Sequence, residues 1–142
     1  MYRVLLPVDG DEARAARAAA TIVEMPWDED AVAVTVLNVF REVTLSDEGR
    51  GADPEKLFRE TEPPASLDVA ADALRDAGIE AETRRELGDP PDVILDVAAE
   101  VGADHIVMSG RKRTPVGKVL FGSVTQSTLL HAEDVPVTVV ID

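Results

Sequence analysis

The chain has no cysteine, which excludes disulfides, thiolate nucleophiles and Cys-ligated zinc. Tryptophan occurs once, and Trp27 in an acidic turn reads as a partly buried anchor for that turn rather than as a site. Histidine occurs twice, without a sequence-level partner for either ring. His105 reads as the opening of a buried strand and His131 as the complement of a helix C-terminus. No apolar run approaches membrane-spanning length, and no basic-then-apolar leader opens the chain, so a cytoplasmic protein is expected. Several motifs are missing as well. There is no Gly-x4-Gly-Lys-Ser/Thr for a P-loop NTPase, no Gly-x-Gly-x2-Gly after the first strand for a dinucleotide enzyme, and no EF-hand spacing.

Basic charge is scarce too. Asp and Glu number 28 against 14 Lys and Arg, a formal net charge of -14 that argues against nucleic acid and anionic membrane partners. Only Lys56, Lys112 and Lys118 are lysines. This balance resembles that of proteins from salt-in halophiles, whose carboxylates repel one another in dilute buffer and are screened at molar salt. The acids are unevenly spread. None falls between His105 and Ala132, where Arg111, Lys112, Arg113 and Lys118 form a cationic island. That island lies in a loop punctuated by Gly110, Pro115 and Gly117, which leads to Ser123 and Gln126 at the spacing of a capping box. A basic loop feeding a helix N-terminus favours an anion.

The 142 residues suit one domain with one core, residues 1–142. Arg3 to Val8 is an unalternated apolar run, as expected for a parallel strand covered on both faces. A helix follows to about Met25 on a stripe of Ala16, Ala19, Ala20 and Val23. Ala31 to Phe40, the most hydrophobic strand, belongs in the sheet interior. Residues 41–64 read as a long mobile surface loop with one helical turn. A helix from Ala65 stops at Gly78, an edge strand spans Ile79 to Leu87, and a helix carrying Val93, Ile94, Val97, Ala98 and Val101 stops at Gly102. Strands at His105 to Met108 and Val135 to Ile141 flank the helix opening at Ser123. Strands alternating with helices call for a parallel α/β sheet with helices on both faces.

Leu6-Pro7-Val8-Asp9, Asn38-Val39, the loop from Asp104 to Ser123 and the final Val-rich strand together resemble the universal stress protein family over almost the whole chain. The resemblance implies a five-stranded, Rossmann-like sheet of order 3-2-1-4-5, with the ends of the first and fourth strands meeting at the switch point. It implies a dimer through Val135 to Ile141, and ATP or a related adenine nucleotide, accompanied by Mg2+, bound without efficient turnover. The contacts it implies are Pro7, Val8 and Asp9 near adenine or ribose and Val39 near adenine. Met108, Ser109, Gly110, Lys112, Arg113, Gly122, Ser123 and Val124 would lie along the phosphate loop. The family's Gly-x2-Gly-x9-Gly-Ser/Thr pattern places its first two glycines at Ser109 and Lys112, so only Gly122-Ser123 and Arg113 match in register. A loop without those glycines leaves open a second reading, a dimeric protein-interaction module that has lost its nucleotide; ATP hydrolysis is a third. Asp9 and Ser123 each have an alternative as simple helix caps.

Overall fold

In a computed structural model of the chain, which describes residues 1–41, 53–110 and 121–141, the elements run in alternation. They are β1 (Tyr2–Pro7), α1 (Glu12–Glu24), a short 3-10 turn (Glu29–Ala31), β2 (Val32–Arg41), α2 (Pro54–Glu60) and α3 (Ala65–Asp76). Then follow β3 (Glu80–Gly88), α4 (Pro90–Val101), β4 (His105–Gly110), α5 (Ser123–His131) and β5 (Val137–Ile141). Every strand pair is parallel and the order is β3-β2-β1-β4-β5. The fold is thus the five-stranded, doubly covered α/β sheet that the alternation implies.

The unalternated runs follow from that double cover. Along β1, Val4 and Leu6 face α1 and α3 with Val34, Val36 and Val107, whereas Leu5 faces the opposite core of Leu37, Ile94, Val97, Ile106 and Met108. Both faces of an interior strand leave water, so neither set of positions tolerates charge. β3, at one edge, shows the alternation that its sequence predicts, with Ala81 buried and Glu80 and Glu82 exposed. The helix stops are equally physical. Gly102 closes α4 at φ 65°, a left-handed conformation that costs glycine nothing, and its N–H reaches back to the last turn.

Three expectations need correction. The buried stripe of α1 is Ala15, Ala18, Ala19 and Ile22 rather than Ala16, Ala19, Ala20 and Val23, and Ala20 is exposed. In so alanine-rich a helix the small residues lie on every side, and only Ile22 marks the face. Within residues 41–64 stands a real helix, α2, capped by the Asp53 side chain on the Glu55 N–H at 3.1 Å. Phe58 docks it, edge to face with Phe40 at 5.9 Å and beneath the Arg85 guanidinium at 4.5 Å. Finally, β5 begins at Val137 rather than at Val135, although the Pro136 carbonyl already accepts from the Ile106 N–H at 2.9 Å.

Candidate functional site

β1 and β4 lie side by side, and their chains leave in opposite directions, β1 into α1 on one face and β4 towards α5 on the other. A crevice must open where neighbouring connections diverge. There a cleft of about 360 Å³ has an apolar floor that includes Leu37, Ile94 and Met108, and a rim that includes Asp9, Arg14, Asn38, Arg41 and Thr125. Its size lies within the range of small-molecule sites.

Side chains from three elements fix the backbone around it. Asn38 at the end of β2 donates its amide to the Val8 carbonyl at 3.0 Å. Buried Ser66, in the first turn of α3, donates its hydroxyl to the Asp9 carbonyl at 2.5 Å. Thr125 of α5 donates to the Ser109 carbonyl at 3.1 Å. Each strand end at the switch point is therefore tied by a buried or half-buried polar group that is itself satisfied. The Asp9 carboxylate is held at both oxygens. Oδ1 accepts from the Asp11 N–H at 2.9 Å, and Oδ2 lies 2.6 Å from Arg14 Nη1.

Of the residues that the sequence puts forward, Pro7, Val8, Asp9, Val39, Met108, Ser109 and Val124 line the cleft. Gly122 and Ser123 immediately precede Val124 at the start of α5. Lys112 and Arg113, with the rest of the cationic island from Arg111 to Lys118, lie outside the described residues. Gly110 needs a different account. It is the last residue of β4, not part of a loop, and an added Cβ would meet Val139 Cγ1 at 2.6 Å and Phe121 Cδ1 at 3.0 Å. Its bareness serves the packing of Phe121 onto the sheet. Around Gly122, by contrast, nothing among the described residues lies within 4 Å of where a Cβ would stand.

The two expected caps also differ. Asp11, not Asp9, caps α1, accepting from the Arg14 N–H at 2.9 Å. The cap of α5 is Gly122 in extended conformation, with no side-chain cap bond, so Ser123 is the first helical residue and the Ser123–Gln126 box does not form. Gln126 N–H bonds the Gly122 carbonyl at 3.0 Å instead. Among the described residues, the opening turn of α5 thus has backbone donors without a side-chain cap.

Arg14, Arg41, Ser66 and Thr125 are not put forward by the sequence, and Asn38 figures there only in the resemblance, not as a site residue. Asn38 carries a signal in hindsight, since a polar residue interrupts an otherwise apolar interior strand at its carboxyl end. The others come from separate elements that only the topology assembles. The two histidines lie away from the cleft. His131 Nδ1 is 2.8 Å from the Ser127 carbonyl in the last turn of α5. His105 opens β4 between Tyr2 Oη at 3.1 Å and Thr138 Oγ1 at 2.7 Å, and burial holds its pKa below the ordinary imidazole value. Among the described residues no His, Cys, Asp and Glu cluster is arranged to hold a metal ion. Among them too, no helix is long and apolar enough to cross a membrane.

A parallel sheet wrapped on both faces, with a cleft at the strand-order reversal and a helix start at its rim, defines a Rossmann-like fold. The chain belongs to the universal stress protein family, whose model matches residues 1–140. It is 29% identical over 140 residues to a universal stress protein of Methanocaldococcus jannaschii, covering 97% of this chain and 81% of that one. Among solved structures, a universal stress protein from Archaeoglobus fulgidus superposes with a TM-score of 0.75 at 30% identity, with 98% of each chain covered. Another from the same organism, in complex with dAMP, superposes with a TM-score of 0.65 at 26% identity, covering 98% of this chain and 97% of that one.

Proposed function

We propose that the cleft binds an adenine nucleotide, ATP or a close relative, and that the protein works as a stress-response or signalling module whose state is set by that ligand without efficient turnover. The observation that carries this reading is the cleft between the ends of β1 and β4, with an apolar floor for a base and the uncluttered start of α5 at its rim. The dAMP complex of the Archaeoglobus relative supports the same ligand class. Pro7, Val8, Val39 and Met108 would hold the base, Asp9 the sugar, and Ser109, Gly122, Ser123 and Val124 the phosphates, with Lys112 and Arg113 supplying cations. The protein is also proposed to act as a homodimer through β5.

A second reading follows from Ser109 and Lys112, which stand where the family's loop has glycines: the fold retained as an interaction module without nucleotide. Calorimetric titration with ATP of wild type, Lys112→Gly and Gly122→Val separates the two. Charge-assisted binding requires that Lys112→Gly weaken affinity and Gly122→Val abolish it, since the open space at Gly122 lets the protein accept valine while a ligand would not. Binding that appears only in Lys112→Gly would mean that lysine closes the cleft, and the interaction-module reading would stand.

A further inference from the structure

The first turn of α1 places a cation inside the rim of the cleft. Arg14 is a cleft-lining residue whose side chain is 13% exposed, and its guanidinium spans two carboxylates, Asp9 Oδ2 at 2.6 Å and Asp11 Oδ2 at 3.4 Å. Its own backbone N–H is bonded to the Asp11 cap, so the start of the side chain is fixed at its root. Asp9, in contrast, is 61% exposed at the side chain and lines the same cleft. On a chain of net charge -14, the Asp9 carboxylate at the mouth of the cleft, with Asp11 beside it, would repel an anionic ligand. Arg14 cancels part of that field and clamps one carboxylate in a single orientation.

The clamp leaves a defined acceptor. Asp9 Oδ1 takes one hydrogen bond from the Asp11 N–H and Oδ2 one from Arg14, so each oxygen keeps lone-pair capacity on the exposed side. Two adjacent acceptors held in fixed orientation match two adjacent hydroxyl donors. We infer that Arg14 is a positioning residue that presents the Asp9 carboxylate to the vicinal diol of a ribose, and that through it the cleft prefers ribonucleotides to 2′-deoxyribonucleotides. The inference rests on the reading of the cleft as a nucleotide site, and it adds a sugar selectivity and the residue that sets it. The fork of arginine matters here, because a lysine ammonium bridges the same charges without fixing the carboxylate plane.

The experiment is calorimetric titration of AMP, dAMP and adenosine against wild type, Arg14→Gln and Arg14→Lys. Wild type should bind AMP more tightly than dAMP. In Arg14→Gln, AMP affinity should fall about tenfold, the scale of one charge-assisted hydrogen bond, while dAMP changes little, so the AMP to dAMP ratio moves towards one. Arg14→Lys should restore part of the ratio. Should Arg14→Gln fail to fold, the wild-type and Arg14→Lys ratios decide alone. Equal losses for AMP and dAMP with adenosine unaffected would make Arg14 a phosphate contact and overturn the inference. An unchanged ratio in Arg14→Gln overturns it too, with nucleotide binding intact. Absence of any nucleotide binding by wild type removes both this inference and the functional reading beneath it.

Discussion

Gly110 has no room for a methyl group. An added Cβ would sit 2.6 Å from Val139 Cγ1 and 3.0 Å from Phe121 Cδ1, inside van der Waals contact with both. Gly110→Ala should therefore destabilise the protein by about 1–3 kcal/mol, the range for overpacking a filled core, read as a lower urea midpoint at unchanged slope. Combined with Phe121→Ala, its cost should be smaller than in the wild-type background, because one of the two obstructing side chains is gone. His105 makes a pH prediction. Its pKa is lowered by burial, so the folded state binds fewer protons than the unfolded state, and stability rises with pH through the affected window. The contribution is fully present above the ordinary value of 6.5 and is lost as pH falls below it. Denaturant melts across that window should show wild type losing stability relative to His105→Gln on acidification; parallel curves would mean that the ring is not protonated differently on folding. Gly110 also shows what sequence reading leaves out at this scale. A glycine in a basic loop and a glycine beneath a phenylalanine look alike until β4 and β5 are paired.

At the scale of the element, α3 and α4 are legible because their apolar residues recur on one face and glycines at 78 and 102 stop them at positive φ. The α1 stripe is not, since alanine on all sides erases the amphipathic contrast. The α5 cap is misread for a different reason: serine at the right spacing offers a box, but the chain enters through Gly122 and Ser123 is already the first helical residue. The cleft is half legible. Residues at strand ends can be inferred from where apolar runs stop, whereas Arg14, Ser66 and Thr125 reach the same place from three helices. β5 carries the element-scale prediction. Among the described residues it pairs only with β4, Val137 to Val140 are half-buried, and Ile141 at its end and Leu130 near the end of α5 are exposed. An unpaired apolar edge invites a second copy. Light scattering should return a dimer for wild type and a monomer for Ile141→Lys combined with Leu130→Lys. A monomeric wild type at micromolar concentration would remove the proposed assembly.

For the molecule as a whole, a net charge of -14 predicts salt-dependent stability. Ion pairs such as Arg14 with Asp9 and Arg84 with Glu86 and Glu100 employ some of the carboxylates, but basic residues are half as many as acidic ones, so repulsion dominates. Raising KCl to molar concentration shortens the Debye length to about 3 Å, and the melting temperature should climb progressively on the way. A flat curve would remove the inference of a halophilic composition while leaving the fold untouched. The sheet also has two poles, and the aromatic rings are divided between them. Tyr2, Trp27 and His105 cluster where the strands begin, with Trp27 only 5.6 Å from Tyr2 and 6.0 Å from His105. The cleft lies where the same strands end, beyond a strand length of about 3.3 Å per residue. The sole indole is thus a fluorophore placed at the wrong pole to see the ligand. Nucleotide added to this protein should leave its intrinsic emission unchanged, so an optical screen would score a binder as silent, whereas acidification that charges the neighbouring imidazole should quench the same signal.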